Sequence, residues 1–260
     1  MKLQSEVTLV ELTDLFNYIN QEGRFVYLSN PNYLLLLDAR DKIAYAEDHI
    51  ITARNVLQTD SVEFVPPCDT QLECQMCVVV YDGNTSDLNS DGAAVKCARM
   101  ITENGSRNPV KILKGGYEQF SARYPFLRTK KMIYMPRELD ALNTYPLEVV
   151  PGRLYLGKRR AHRVPDATLI ACSSTSAGKI MLKDDTGAVL VYSNLGICRS
   201  VAMILAYLMY KQQCTLNLAW THVKRCCVSM KPNRGFVNEL TRWERHLGIE
   251  PKTDVTADVN

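Results

Sequence analysis

No apolar run in this sequence is long enough to cross a bilayer. The longest, Val201 to Tyr210, stops at ten residues, about half of the ~20 that a membrane helix needs, so no membrane insertion is expected. Neither sign of charge dominates: 31 basic against 28 acidic residues leave +3, too balanced for the basic footprint of a nucleic-acid binder. An acid-free leader is missing as well. Glu6, Glu11 and Asp14 fit neither a secretory signal nor an acid-poor transit peptide. Histidine is scarce, with only His49, His162, His222 and His246. There is no internal repeat and no low-complexity segment. Cysteine is plentiful but odd in number, at nine. Without a secretory route that reads as reduced thiols in a cytosol-like compartment, so a cytoplasmic location is expected. Cys74-Gln75-Met76-Cys77 has no second Cys-x-x-Cys to complete a zinc set and reads as structural. No metal and no cofactor are expected.

What is present suits two ordinary domains in 260 residues, 46% of them apolar and 23% charged. Thr8-Leu9-Val10-Glu11 reads as a capping box, with Leu12, Leu15, Phe16 and Ile19 following at helical spacing. Tyr33 to Leu37, Cys77 to Tyr81 and Val110 to Leu113 are short continuous apolar runs, the pattern of strands buried on both faces. Ala93 to Thr102 between the last two reads as a helix. Strands alternating with helices predict a parallel α/β sheet over residues 1–125. Pro125, Pro136, Pro146 and Pro151 punctuate a linker over 126–150. A second α/β domain is expected over 151–250, before a polar tail over 251–260. Its strand is Ala188 to Tyr192. Three helices follow, with apolar stripes Val201/Ile204/Leu205/Leu208, Leu216/Ala219/Trp220/Val223 and Phe236/Leu240/Trp243/Leu247.

The stretch Val189 to Ser200 joins that strand directly to the first helix. Such a loop points backbone N–H groups and the positive end of the helix dipole at one spot. Gly196 lets the backbone curl, and Arg199 offers a planar fork for phosphate oxygens. On these residues alone, an anion cradle and a plain strand–turn–helix remain equally open.

Tyr192-Ser193-Asn194-Leu195-Gly196-Ile197-Cys198-Arg199-Ser200 resembles the phosphate loop of cysteine-dependent dual-specificity phosphatases, His-Cys-x-x-Gly-x-x-Arg-Ser. Pro151 to Gly157 upstream is similar to the strand that opens that domain. Ala206-Tyr207-Leu208-Met209, Pro232-Asn233-Arg234-Gly235-Phe236 and Trp243-Glu244 are similar to its helices. The resemblance makes Ser193 to Ser200 the phosphate-binding residues. It also puts Ser193 where the family has its nucleophilic Cys, and Tyr192 where it has His. That chemistry needs a thiolate, and a serine hydroxyl in the same field stays protonated unless a base lies within hydrogen-bond reach. The family's general-acid Asp loop is missing too. Asp166, Asp184 and Asp185 are the only carboxylates between Leu154 and Ser193, and they read as surface or turn residues. The interval is short for the fold, so the second domain is expected to be incomplete. Catalytic residues are therefore expected to be none.

In the first half, Leu34 to Arg40, then Tyr45, Glu47, His49 and Ile50, then Cys77 to Tyr81 and Ile112 to Tyr117, resemble a rhodanese-like domain. Active rhodaneses carry a sulfur-accepting Cys after the central strand; Asp82 stands there. Leu113 to Ser121 is closest to the rhodanese-like domain of the MAP kinase phosphatases. Those proteins dock kinases through a basic cluster after Asn-Val, whereas Asn55-Val56 here precedes Leu57-Gln58-Thr59-Asp60. The basic runs Arg128 to Lys131 and Lys158 to Arg160 read as solvated faces. Cys198, beside Arg199 at a helix start, is the thiol to test for redox sensitivity.

The expectation is an α/β protein, a rhodanese-like parallel-sheet domain followed by an incomplete dual-specificity-phosphatase-like domain. It would act as a pseudophosphatase that binds phosphoproteins or signalling phosphatase and kinase complexes without dephosphorylating them. The alternatives are a scaffold working through the rhodanese-like half, and a weak phosphatase using Ser193 or Cys198.

Overall fold

The structure, a computed structural model, describes residues 6–22, 27–56, 64–65, 70–133, 135–158, 168–172 and 187–249. The chain divides into two compact units, Met1–Ile19 with Arg24–Leu142 and Asn20–Gly23 with Asn143–Asn260.

In the first unit the described elements are β1 (Thr8–Val10), α1 (Leu12–Ile19), β2 (Leu34–Asp38), α2 (Lys42–Glu47), β3 (His49–Ile50), β4 (Arg54–Asn55), β5 (Cys77–Tyr81), α3 (Ala93–Glu103), β6 (Val110–Leu113), α4 (Gly116–Arg123), β7 (Arg128–Thr129) and α5 (Pro136–Asp140). A five-stranded sheet of order β1-β6-β5-β2-β4 is parallel throughout. Its central strands are the continuous apolar runs: every residue of β5 is buried, and α3 packs Ala94, Val95, Cys97, Ala98 and Ile101 against them. Parallel strands covered on both faces need this composition, because neither face meets water.

The register pairs Leu34 with Cys77 and ends with Asp38 beside Tyr81. Asp38 is fully buried, and Arg40 answers it with a two-point pairing, Nε to Oδ1 at 3.0 Å and Nη2 to Oδ2 at 2.7 Å. The same guanidinium lies 3.8 Å from the centre of the Tyr117 ring. A buried carboxylate is tolerable only with such a partner.

Two expectations for this unit are corrected. Thr8 to Val10 is not a capping box but a strand whose backbone pairs with Lys111 to Leu113. The helix begins later, and the Glu11 carbonyl accepts from Asp14 N and Leu15 N. The stretch 126–150 is not a bare linker: it holds β7, paired antiparallel with β3, then α5, then a strand of the second unit. Proline marked the ends of these short pieces rather than an absence of structure.

The second unit contains β8 (Leu147–Val150), β9 (Leu154–Lys158), β10 (Thr168–Ala171), β11 (Val189–Ser193), α6 (Arg199–Gln212), α7 (Leu216–Cys226) and α8 (Arg234–His246). Its four-stranded sheet has the order β10-β11-β9-β8, parallel except for β8. β10 is a strand not foreseen from the sequence in the short interval before β11; its apolar residues Leu169 to Ala171 are mostly exposed rather than buried. Val201, Ile204, Leu205 and Leu208 of α6 are buried, as are Leu216, Ala219, Trp220 and Val223 of α7. On α8 the stripe is shifted. Val237 and Leu240 are buried, while Phe236, Trp243 and Leu247 pack around the rim of the core.

Trp243 and Glu244 tie the three helices together. The indole donates to the Ala206 carbonyl at 3.2 Å, and the buried Glu244 carboxylate accepts from Leu216 N at 2.7 Å at the start of α7. No helix among the described residues is long and apolar enough to cross a membrane.

Candidate functional site

The loop between β11 and α6 is curled by its own sequence. Gly196 has φ of 70°, a left-handed conformation, and a Cβ there would come within 3.0 Å of the Gly157 carbonyl oxygen and 3.1 Å of Lys158 Cγ. Only glycine fits both demands. At the end of β11, Ser193 is 5% exposed and its hydroxyl faces inward. It accepts from Gly196 N at 3.1 Å and lies 3.0 Å from Ser200 Oγ, which is itself fully buried. Ile197 is pinned from outside, its carbonyl accepting from Lys231 N at 2.7 Å.

Arg199 is the first residue of α6, and Cys198, the cap position, makes no side-chain capping bond. The helix start thus brings backbone N–H groups to the loop, with Arg199 as its first residue, and the N-terminal end of a helix attracts an oxyanion. Burial pushes the thiol of Cys172, just beyond β10, upward, with Arg199 opposing the shift. Of the remaining loop residues, Asn194 and Leu195 are exposed, and Leu195 is 66% exposed.

The hydroxyl of Ser193 thus has a second hydroxyl and an amide donor as its partners, and neither takes up a proton at neutral pH. The described histidines are engaged elsewhere. His49 bridges the Tyr45 and Lys131 carbonyls, His222 Nε2 lies 2.8 Å from the Val149 carbonyl, and His246 stacks on Trp243. His162, Asp166, Asp184 and Asp185 lie outside the described residues, as do Arg159 and Arg160 of the second basic run and Leu57 to Asp60.

In the first unit, Asp82 follows β5 and is 7% exposed. Oδ1 accepts from Asn84 N at 3.2 Å and Thr85 N at 2.9 Å; Oδ2 accepts from Thr85 Oγ1 at 2.6 Å and Ala94 N at 3.0 Å. Helix α3 has Gly92 at its cap, with no side chain to receive its first N–H groups, and Asp82 takes that part from the strand end. The loop's inward amides are filled by the protein's own carboxylate. Cys77, at the other end of β5, is buried with Lys111 Nζ 3.5 Å from its sulfur, and Cys74 is exposed.

Sequence reasoning missed Asn20, Gln21 and Glu22, which belong by their contacts to the second unit. Gln21, fully buried, donates through Nε2 to the Cys226 carbonyl at 2.7 Å and accepts at Oε1 from Val228 N at 3.1 Å. Asn20 Oδ1 accepts from Tyr145 N at 2.9 Å. Glu22 accepts from Thr144 Oγ1 at 3.2 Å and pairs with Lys158 Nζ at 3.2 Å. Asn20 and Glu22, but not the buried Gln21, line one open cleft together with Lys158, Leu195, Gly196 and Ile197.

Both folds are met in known families. Residues 27–123 match the Rhodanese-like domain and residues 179–246 match the Dual specificity phosphatase, catalytic domain. The chain is an α/β protein with a rhodanese-like and a dual-specificity-phosphatase-like domain, as the sequence suggested. It is phosphatase-like and homologous to rhodanese-containing dual-specificity phosphatases. Human dual specificity protein phosphatase 4 is 26% identical over 290 residues, spanning 82% of this chain and 73% of that protein. For human dual specificity protein phosphatase 16 the figures are 24% over 279 residues, 84% of this chain and 42% of that one. Human dual specificity protein phosphatase 7 is 42% identical over 66 residues, 25% of this chain and 16% of that one. Among solved structures, human DUSP28 aligns with 41% of this chain and 97% of its own at 24% identity and a TM-score of 0.33.

Proposed function

We propose that this protein is a pseudophosphatase: a cytoplasmic regulator that binds phosphoproteins, or signalling phosphatase and kinase complexes, through the Ser193–Ser200 loop without dephosphorylating them. In this it resembles the serine/threonine/tyrosine-interacting-like relatives of the dual-specificity phosphatases. The observation that supports it most is the setting of Ser193, whose hydroxyl is held between Ser200 Oγ and Gly196 N, with no basic side chain bonded to it among the described residues. A hydroxyl so placed does not become an alkoxide at neutral pH, and attack on phosphorus requires one. The curl at Gly196, the start of α6 and Arg199 remain, and those are the parts that hold a phosphate rather than cleave it.

The test pairs turnover with binding. Phosphomonoester hydrolysis is expected to match the enzyme-free blank, and a phosphopeptide or vanadate to slow amide exchange across residues 188–210. Arg199→Ala is expected to abolish that response and partner capture with it. Turnover lost on Ser193→Ala or Cys198→Ala would overturn the reading in favour of a weak phosphatase. Partner capture that survives Arg199→Ala would move the binding function to the rhodanese-like unit. Ser193→Cys with Tyr192→His is expected to restore little activity, because the sequence offers no general-acid loop of the family's kind; a large gain would overturn that argument.

A further inference from the structure

The buried side chain of Gln21 and the ion pair of Glu22 have no part in the phosphate loop as sequence reads it, yet both lead to its outer face. One arm runs through Gln21, which holds the backbone on both sides of Cys227. From Cys227 the carbonyl accepts from Met230 N at 3.2 Å, and the next residue, Lys231, donates its N–H to Ile197 at 2.7 Å. The other arm runs through Glu22 to Lys158 Nζ at 3.2 Å; the stem of Lys158 and the Gly157 carbonyl form the wall against which Gly196 sits. The two arms meet the loop at adjacent residues, Gly196 and Ile197.

We propose that Asn20, Gln21 and Glu22 form a positioning strap for the phosphate loop, holding the 226–231 backbone and Lys158 where they keep Gly196 and Ile197 curled. A fully buried amide satisfied at both its ends fixes two backbone groups at once. Losing it leaves the Cys226 carbonyl buried without its donor, which is costly, and the part-buried Val228 N–H without its acceptor. The ion pair is partly exposed and contributes less, chiefly by choosing the direction of the Lys158 side chain. The strap sets the loop's shape, and its effect on anion affinity rests on the phosphate-reading function proposed above.

The experiment uses the full chain and three readouts: hydrogen exchange over residues 194–198, exchange over α8, and tungstate affinity by calorimetry. Gln21→Ala is expected to speed exchange at 194–198 by about tenfold, the equivalent of about one ordinary hydrogen bond, while α8 keeps its wild-type rate. Tungstate affinity is expected to fall in step. Glu22→Lys is expected to loosen the loop, and Glu22→Lys with Lys158→Glu to restore it. Loop exchange at the wild-type rate in both Gln21→Ala and Glu22→Lys would overturn the strap. If Gln21→Ala unfolds the whole unit, the charge swap decides: recovery in the double variant supports the strap, and a Glu22→Lys variant and a double variant that behave alike remove it. A wild-type protein that binds no tungstate would defeat the phosphate reading alone, since loop exchange still reports on the strap.

Discussion

Two side chains stand where the resemblance to the two families would put a reactive sulfur, and each makes bonds that a sulfur would not. Ser193 shares a hydrogen bond with Ser200. Asp82 accepts four hydrogen bonds, three of them from backbone amides, and completes the first turn of α3. Asp82→Ala leaves those donors buried and unmatched, which is expected to cost about 3 kcal/mol in the urea unfolding of the first unit. Asp82→Asn is expected to cost less, since one acceptor oxygen remains. That an Asp rather than a Cys follows β5 was legible in the sequence. Its structural work was not, because it depends on where the chain brings the amide of residue 94 back to the strand end.

At the scale of elements, legibility followed burial. β5 was foreseen residue for residue because a strand covered on both faces must be continuously apolar; β6 was foreseen with the same bounds although Lys111 interrupts its apolar run. β1 and β10 were not, being edge strands of three and four residues with mixed exposure. The loop from β11 to α6 was legible for a different reason: its glycine and arginine have fixed tasks. Gly196→Ala is expected to cost at least about 1 kcal/mol for the left-handed backbone, with more from the crowding against Gly157. Thermal melting of the second unit together with exchange at 194–198 would register it, and an unchanged loop would show that the curl does not depend on this glycine.

Across the whole molecule, the first unit buries groups that resist ionisation. Burial pushes the Cys97 thiol from 9.0 up to about 12, and the residue is fully buried. The unfolded chain therefore loses this proton first as pH rises. Stability is complete below about pH 9 and declines toward pH 12, with a slope of about 1.4 kcal/mol per pH unit from this group. Alkaline melting of wild type against Cys97→Ala measures it: the variant is expected to show the shallower decline, and equal slopes would rule the contribution out. Both domains were legible in the sequence at this scale, as was the curled loop between β11 and α6. The Asn20–Glu22 strap was not, since three polar residues after a helix look like any turn and their partners lie far along the chain.

That separation has a consequence for the protein's birth. Gln21 and Cys226 stand 205 positions apart. At roughly 5–20 residues per second of synthesis, the Gln21 amide waits on the order of ten to forty seconds before the backbone it clasps leaves the ribosome. The first unit has its whole sequence by then, while the second still lacks the backbone its strap holds. A nascent chain stalled before Val228 would present Gln21 open to water, and the second unit is therefore fastened only once residues 226–231 have emerged.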